Sequence, residues 1–283
     1  MSANEIFTDK SRFSVDLSTT DKWETLVLGK HTLQIVARAG NYIDSDKSNP
    51  IEFEAPPDYL CFTAEEAGST IAMAVNGTPT KGQAFEYSTD GTNWSVFTPG
   101  TTTITLANVG DKVYFRGDNT TVSESSSVYY KFVMSGKIAA SGNIMSLLDK
   151  TCQSTTIANN FCYYYMFYGC TSLTTVPTLP ATTLADYCYD SMFRGCTSLT
   201  TVPTLPATTL ANFCYNYMFN GCTSLQVYSS SGTGHTKAWR IPTSGSASYY
   251  TSQSKMFYNC PGSYTSSSTV SLNTTFYTQN TPV

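Results

Sequence analysis

CTSLTTVPTLPATTLADYCYDSMFRG occupies 170–195, and CTSLTTVPTLPATTLANFCYNYMFNG follows it without a gap at 196–221. The two segments agree at 21 of 26 positions. Self-similarity at a fixed period marks repeat architecture, in which single units cannot bury their own apolar face and neighbours complete the core. The period extends both ways. FCYYYMFYGCTSL begins at Phe161, and a degenerate copy, KMFYNC, ends at Cys260. Met166, Met192 and Met218 are 26 apart, but Met256 lies 38 further on, which places a 12-residue insertion within 226–250.

Leu184, Cys188 and Met192 fall at i, i+4 and i+8, the spacing of one helical stripe, with Ala185, Tyr189 and Phe193 alongside. Gly195 follows as a natural left-handed stop. Leu199 to Val202 reads as a short strand, and Pro203 and Pro206 prevent its extension. A unit is therefore expected to be a short helix, a turn, a short strand and a proline-fixed arc. Such a helix is too short to persist alone, so stacking must hold it. The expected shared core is Cys162, Met166, Leu184, Cys188, Met192, Leu210, Cys214 and Met218.

The phrases MFYGCTSL, MFRGCTSLTTVPTLPATTL and MFNGCTSL resemble BspA-type leucine-rich repeats, as found in surface proteins of gut Bacteroidetes and in virion proteins of their crAss-like phages. GNIMSLL at 142–148 is similar to the lead-in that precedes such repeats. The resemblance covers about half the chain, 141–283, and departs from the pattern in 226–250. It implies a solenoid with a binding or adhesive role and supplies no catalytic residues.

The whole chain has 283 residues, a net charge of −4 and 13% charged residues. That length suggests two or three units. Residues 1–150 hold 12 basic and 18 acidic side chains, whereas 151–283 hold four and two. The repeat half is thus nearly uncharged and rich in hydroxyls and amides, which suits an external surface. No run approaches the roughly 20 apolar residues that span a bilayer, so no membrane insertion is expected. Nothing is strongly basic, so no nucleic acid partner is expected. MSANEIFTDKSRF lacks a basic-then-apolar leader, so no Sec-type signal is expected.

Residues 56–140 read as a small antiparallel sandwich or barrel. Its strands are IAMAV, AFEYS and WSVF around Asp90-Gly91, two more around Gly110-Asp111, and a last pair in YYKFVMSGKIAAS. STDGTNW has a faint likeness to the Asp-box hairpin of sialidases, and reads as an ordinary Asp-Gly hairpin. In 1–55, His31, Leu33, Ile35 and Ala37 alternate as in a strand, and a turn leads to Ile51-Glu52-Phe53. This looks like the last hairpin of a fibronectin type III domain, cut short and expected to be an anchor. The expected organisation is mainly β with short helices: a partial fibronectin-III-like segment (1–55), a β spacer (56–140) and a repeat solenoid (141–283).

Cys162, Cys188 and Cys214 form one 26-residue ladder, and Cys170, Cys196 and Cys222 another that Cys260 extends. No C-x-x-C occurs. Stacked Cβ atoms lie about 4.8 Å apart where a disulfide prefers about 3.8 Å, so free buried thiols are expected. His235 sits in a Gly-flanked loop with no second histidine or carboxylate near it in sequence. No hydrolase, zincin or phosphate-loop motif appears, and the repeats lack the paired acids of a glycosidase. No catalytic residue, metal or cofactor is expected.

The copies differ at Tyr164/Asp190/Asn216, Tyr165/Ser191/Tyr217 and Tyr168/Arg194/Asn220. These lie off the Leu-Cys-Met stripe and are expected to face solvent. Tyr164, Tyr165, Tyr168, Asp190, Arg194, Asn216, Tyr217 and Asn220 are the candidate binding residues, because rings with polar tips suit sugars and proteins. The stacked threonines Thr174/Thr200, Thr175/Thr201 and Thr178/Thr204 are expected to bond between coils. The expected function is a non-enzymatic virion surface protein: a head fibre, decoration or receptor-binding protein. Its N-terminal region would meet capsid or other virion proteins, its solenoid a bacterial surface glycan or protein, and a homo-oligomer is open. The competing readings are a bacterial cell-surface adhesin, a capsid-stabilising protein and a glycan-active enzyme.

Overall fold

The computed structural model describes 57–241, 255–262, 272–273 and 275–279, and the backbone of 6–9, 12–14, 30–33 and 51–54. The chain forms two compact units, Met1–Pro57 and Asp58–Val283. In the first, β1 (Ile6–Asp9) pairs antiparallel with β2 (Arg12–Ser14), and β3 (Lys30–Leu33) with β4 (Ile51–Glu54). His31 lies opposite Phe53, the hairpin that the sequence alternation suggests. Ile35 and Ala37 lie outside the described residues.

The second unit opens with eight strands: β5 (Leu60–Ala64), β6 (Ser69–Asn76), β7 (Phe85–Ser88), β8 (Ser95–Phe97), β9 (Thr103–Leu106), β10 (Lys112–Gly117), β11 (Tyr129–Ser135) and β12 (Ile138–Ser141). They make a five-stranded sheet, β12-β5-β10-β7-β8, and a three-stranded sheet, β11-β6-β9. The β7–β8 hairpin forms as read, with Asp90 Oδ1 accepting from Thr92 N and Asn93 N. The strands around Gly110-Asp111 do not pair with each other, nor do those around Gly136. Both loops carry the chain from one sheet to the other. The alternating burial of β6, β10 and β11 points one row of each inward. There Phe62, Phe115 and Phe132 meet edge to face at 4.8 to 5.6 Å.

The repeats contain no α-helix among the described residues, which corrects the helical reading of each unit. The only helical element described is a 3-10 turn at Ile144–Leu147. Phe161 and Tyr165 in the first copy, Tyr187 and Ser191 in the second, and Phe213 and Tyr217 in the third have φ of 52–61°; Gly169, Gly195 and Gly221 complete the series. A left-handed residue at every fourth position breaks an α-helix. The true period is four, and over nine residues it leaves the same apolar stripe as 3.6. Buried pairs such as Cys162-Tyr163 and Met166-Phe167 alternate with pairs facing outward.

The backbone bonds show what replaces the helix. Tyr164, Met166, Tyr168 and Cys170 donate to carbonyls three residues back. Phe161, Tyr163, Tyr165, Phe167 and Gly169 donate instead to Asp186, Cys188, Asp190, Met192 and Arg194 in the next copy, at 2.8–3.2 Å. Each copy is thus one tier, tied to its neighbour at alternate residues. Left-handed non-glycine residues cost about 1 kcal/mol or more each, which the inter-tier ladder offsets. The expected strand at Leu199–Val202 is not a ladder: Thr200 N bonds to Thr174 O, and the arcs otherwise run irregularly.

Rings follow the tiers. Phe132, Phe167, Phe193, Phe219 and Phe257 stack with centroids 5.2–5.5 Å apart, and Tyr163, Tyr189 and Tyr215 form a second column. Phe132 belongs to β11, so the sandwich supplies the first ring of the stack. One edge of each of its sheets is covered in the same way. Phe132 N donates to Met166 O, and Ile138 N in β12 to Ser172 O. Covered edges do not recruit stray strands. At the far end, β13 (Val227–Tyr228), β14 (Lys237–Trp239) and β15 (Phe276–Thr278) form a small sheet. From it Trp239 and Phe276 pack on Phe257, and Trp239 Nε1 donates to Pro203 O. The 12-residue insertion leaves the stacking intact, since Phe219 N donates to Met256 O.

Candidate binding face

Three of the positions where copies differ form columns on one side of the tiers. Tyr164, Asp190 and Asn216 are the innermost. Asp190 and Asn216 are buried, as are Ser191 and Asn220, so the expectation that all candidate positions face solvent is corrected for these. The four-residue period turns them partly under the rings of adjacent tiers. Asn216 Nδ2 donates to Asp190 Oδ2 at 2.9 Å, and Ser191 Oγ to Asp190 Oδ1 at 2.7 Å. Burial raises the Asp190 carboxyl above its ordinary range, against the pull of those two bonds and of the Arg194 charge. Desolvation likewise pushes the Tyr164 phenol up, helped by its bond with Tyr165.

The other two columns stay half-buried at Tyr165, Tyr168, Arg194 and Tyr217. Tyr164, Tyr165 and Tyr168 stack in sequence, with centroids 4.0 and 4.5 Å apart. Tyr129 on β11 meets Tyr164 and Tyr165 edge to face. Cations then alternate with rings along the stack. Lys131 and Arg194 flank Tyr168 at 5.3 and 5.8 Å, and Arg194 and Lys255 flank Tyr217 at 5.3 and 5.5 Å. Lys255 also lies 5.9 Å from Tyr258, which is 39% exposed. Cation–π contacts of this kind hold the long side chains in place.

Lys131, Lys255 and Tyr258 escaped the sequence reading. Lys131 lies in the sandwich, outside the repeat. Lys255 and Tyr258 follow the insertion, yet KMFYNC laid over YMFNGC puts Lys255 under Tyr217 and Tyr258 under Asn220. That signal was present in the register.

Elsewhere, Cys162, Met166, Cys188, Met192, Cys214 and Met218 are fully buried in one cluster, Leu210 is buried, and Leu184 is half-buried against it. All nine cysteines are buried thiols outside any disulfide. They do more than fill space: Cys170, Cys196, Cys222 and Cys260 donate Sγ–H to Phe132, Phe167, Phe193 and Phe219 carbonyls at 3.0–3.2 Å. Thr174, Thr175, Thr178 and Thr200 hydroxyls donate to carbonyls of the preceding layer. The proline arcs of two copies, with Lys237, line a shallow groove of 570 Å³. His235 stacks on Tyr228 at 3.8 Å.

Among the described residues, no helix is long and apolar enough to cross a membrane, and no three His, Cys, Asp or Glu side chains converge on a metal site. No known family model, curated protein or solved structure matches this chain.

Proposed function

We propose that the protein is a non-enzymatic display protein whose stacked tiers are a leucine-rich-repeat solenoid of the BspA type. In this reading it sits on the exterior of a bacteriophage particle, as a head fibre, decoration or receptor-binding protein. The N-terminal unit meets the capsid or another virion protein. The tyrosine columns meet a glycan or protein on the bacterial surface.

The observation that carries this reading is the row of half-buried side chains in which Tyr164, Tyr165 and Tyr168 of the first tier are joined to Tyr217 of the third through Arg194, held by stacking and cation–π contacts. Rings fixed before binding lose little conformational freedom when a partner arrives.

The test is adhesion of the purified full chain to host-type cells. Tyr165→Ala combined with Tyr217→Ala is expected to lower cell binding at least tenfold, with the thermal midpoint little changed. Equal adhesion by the double variant removes this face from the proposal.

A further inference from the structure

We infer that the ligand of the tyrosine face is an acidic polysaccharide carrying its negative charge on alternate sugars, laid along the stack. This rests on the reading of that face as the adhesive surface and specifies its chemistry.

Three features lead there. The first is polarity. The charged groups of the row are Lys131, Arg194 and Lys255, all half-buried, and none of them is in an ion pair among the described residues. The acid nearest the row, Asp190, is buried beneath it and occupied by Asn216 and Ser191. A chain that is acidic overall therefore presents a cationic strip here.

The second is spacing. Lys131 lies in the β11 layer, Arg194 two layers on and Lys255 two layers beyond that. Ring centroids advance 5.2–5.5 Å per layer, so neighbouring cations advance about 10 Å along the stack, twice the separation of adjacent strands, with Lys255 one column across from Arg194. One extended hexose advances about as far as one tier. An acid on every second sugar thus meets a cation each time.

The third is what lies between the cations. Tyr168 and Tyr217 occupy the intervening layers. Their faces are taken by the cations and, at Tyr168, by Tyr165, so what they offer the uncharged sugars is the half-exposed remainder of each phenol. Single-stranded nucleic acid also uses rings and cations, but it carries a charge on every unit and fits the alternation less well.

The test is a titration of the full-length protein with three polymers at low salt. They are hyaluronan (alternating uronate and N-acetylhexosamine), carboxyl-reduced hyaluronan, and oligo-dT. Hyaluronan is expected to bind. Carboxyl reduction, or the triple variant Lys131→Gln, Arg194→Gln, Lys255→Gln, is expected to weaken binding roughly tenfold or more, as the loss of three partly screened ion pairs implies. Arg194→Lys keeps the charge but loses the planar guanidinium stacked on two rings, and is expected to bind between the parent and Arg194→Gln. Circular dichroism confirms that the triple variant folds.

Equal binding of the neutral polymer, tighter binding of oligo-dT, or no binding of hyaluronan overturns the inference. The adhesive reading is judged separately. If the triple variant still adheres to cells while Tyr165→Ala with Tyr217→Ala does not, the face stands and its acidic ligand falls. If neither set changes adhesion, the face itself falls.

Discussion

Asn216 donates to the carboxylate of Asp190 at 2.9 Å, across 26 residues of sequence and one tier of the stack. The pair sits where two otherwise similar copies differ, and the difference is a charge under the rings. Because burial raises the Asp190 carboxyl, the folded chain holds that proton more tightly than the unfolded chain does. The associated stability is complete below the ordinary carboxylate range and is lost as pH rises through the raised value.

Asp190→Asn removes that loss. Its amide oxygen accepts from Asn216, and its nitrogen meets Ser191. The variant is expected to unfold about 2 °C higher than the parent near neutral pH. The gain should vanish below about pH 3, where the parent carboxyl is protonated in both states. Calorimetry at the two pH values checks this, and a lower midpoint near neutrality would show that the ionised form holds the tiers together.

Phe193 is the middle ring of the phenylalanine column, within 4° of parallel to Phe167 and 5° of Phe219. Phe193→Ala opens a void in a core that continues on both sides. It is expected to cost about 3–5 kcal/mol, in the range of buried aromatic truncations. Phe193→Leu should retain more than half of the lost stability. Denaturant melts measure both, and a cost below about 1 kcal/mol for the alanine would mean that the tiers do not share a core.

How much of this was legible follows from what a sequence pattern records. The period, the insertion and the buried residues Cys188, Met192 and Phe193 were readable, because a repeat fixes which side chains meet. The backbone path was not. Leu184, Cys188 and Met192 suit a helix and a chain of four-residue turns equally well over so short a span. Only the left-handed φ at Tyr187 and Ser191, where glycine would be the usual signal, separates them. Burial of Asp190 and Asn220 followed from that path and was equally hidden. The row of cations was half hidden, because Lys131 comes from a strand with no repeat register.

The thiols give a sharp chemical expectation. Burial pushes Cys170, Cys214 and Cys260 up to about 12, and Cys162 to about 11, so the reactive thiolate is scarce in the folded chain. Native protein should react slowly with a disulfide reagent at mildly alkaline pH. After denaturation without reductant, all nine sulfhydryls should titrate. A count of one would mean that the ladders had paired. Adding reductant to the folded protein should leave its melting temperature unchanged.

Three positions separate backbone conformation from space. Gly142 has φ of +72°, and a Cβ there would lie 1.9 Å from Tyr59 O, where the chain leaves β12 for the repeats. Gly142→Ala must therefore move the Tyr59 backbone or break the parallel bridge from Tyr59 to Asn143. Gly195 has nearly the same φ, +76°, but a Cβ there would approach only Gly169 Cα, at 3.7 Å. Gly195→Ala carries the conformational term alone, about 1 kcal/mol. Asn259 occupies the equivalent place in the degenerate copy, exposed and with φ of +63°. Asn259→Gly relieves a left-handed residue that already tolerates the region, and is expected to gain a few tenths of a kcal/mol at most. Urea melts should thus rank Asn259→Gly at or just above the parent, Gly195→Ala modestly below it, and Gly142→Ala far below or unfolded. If Gly142→Ala proves as mild as Gly195→Ala, the chain leaving β12 does not close on Tyr59 through the Tyr59–Asn143 bridge.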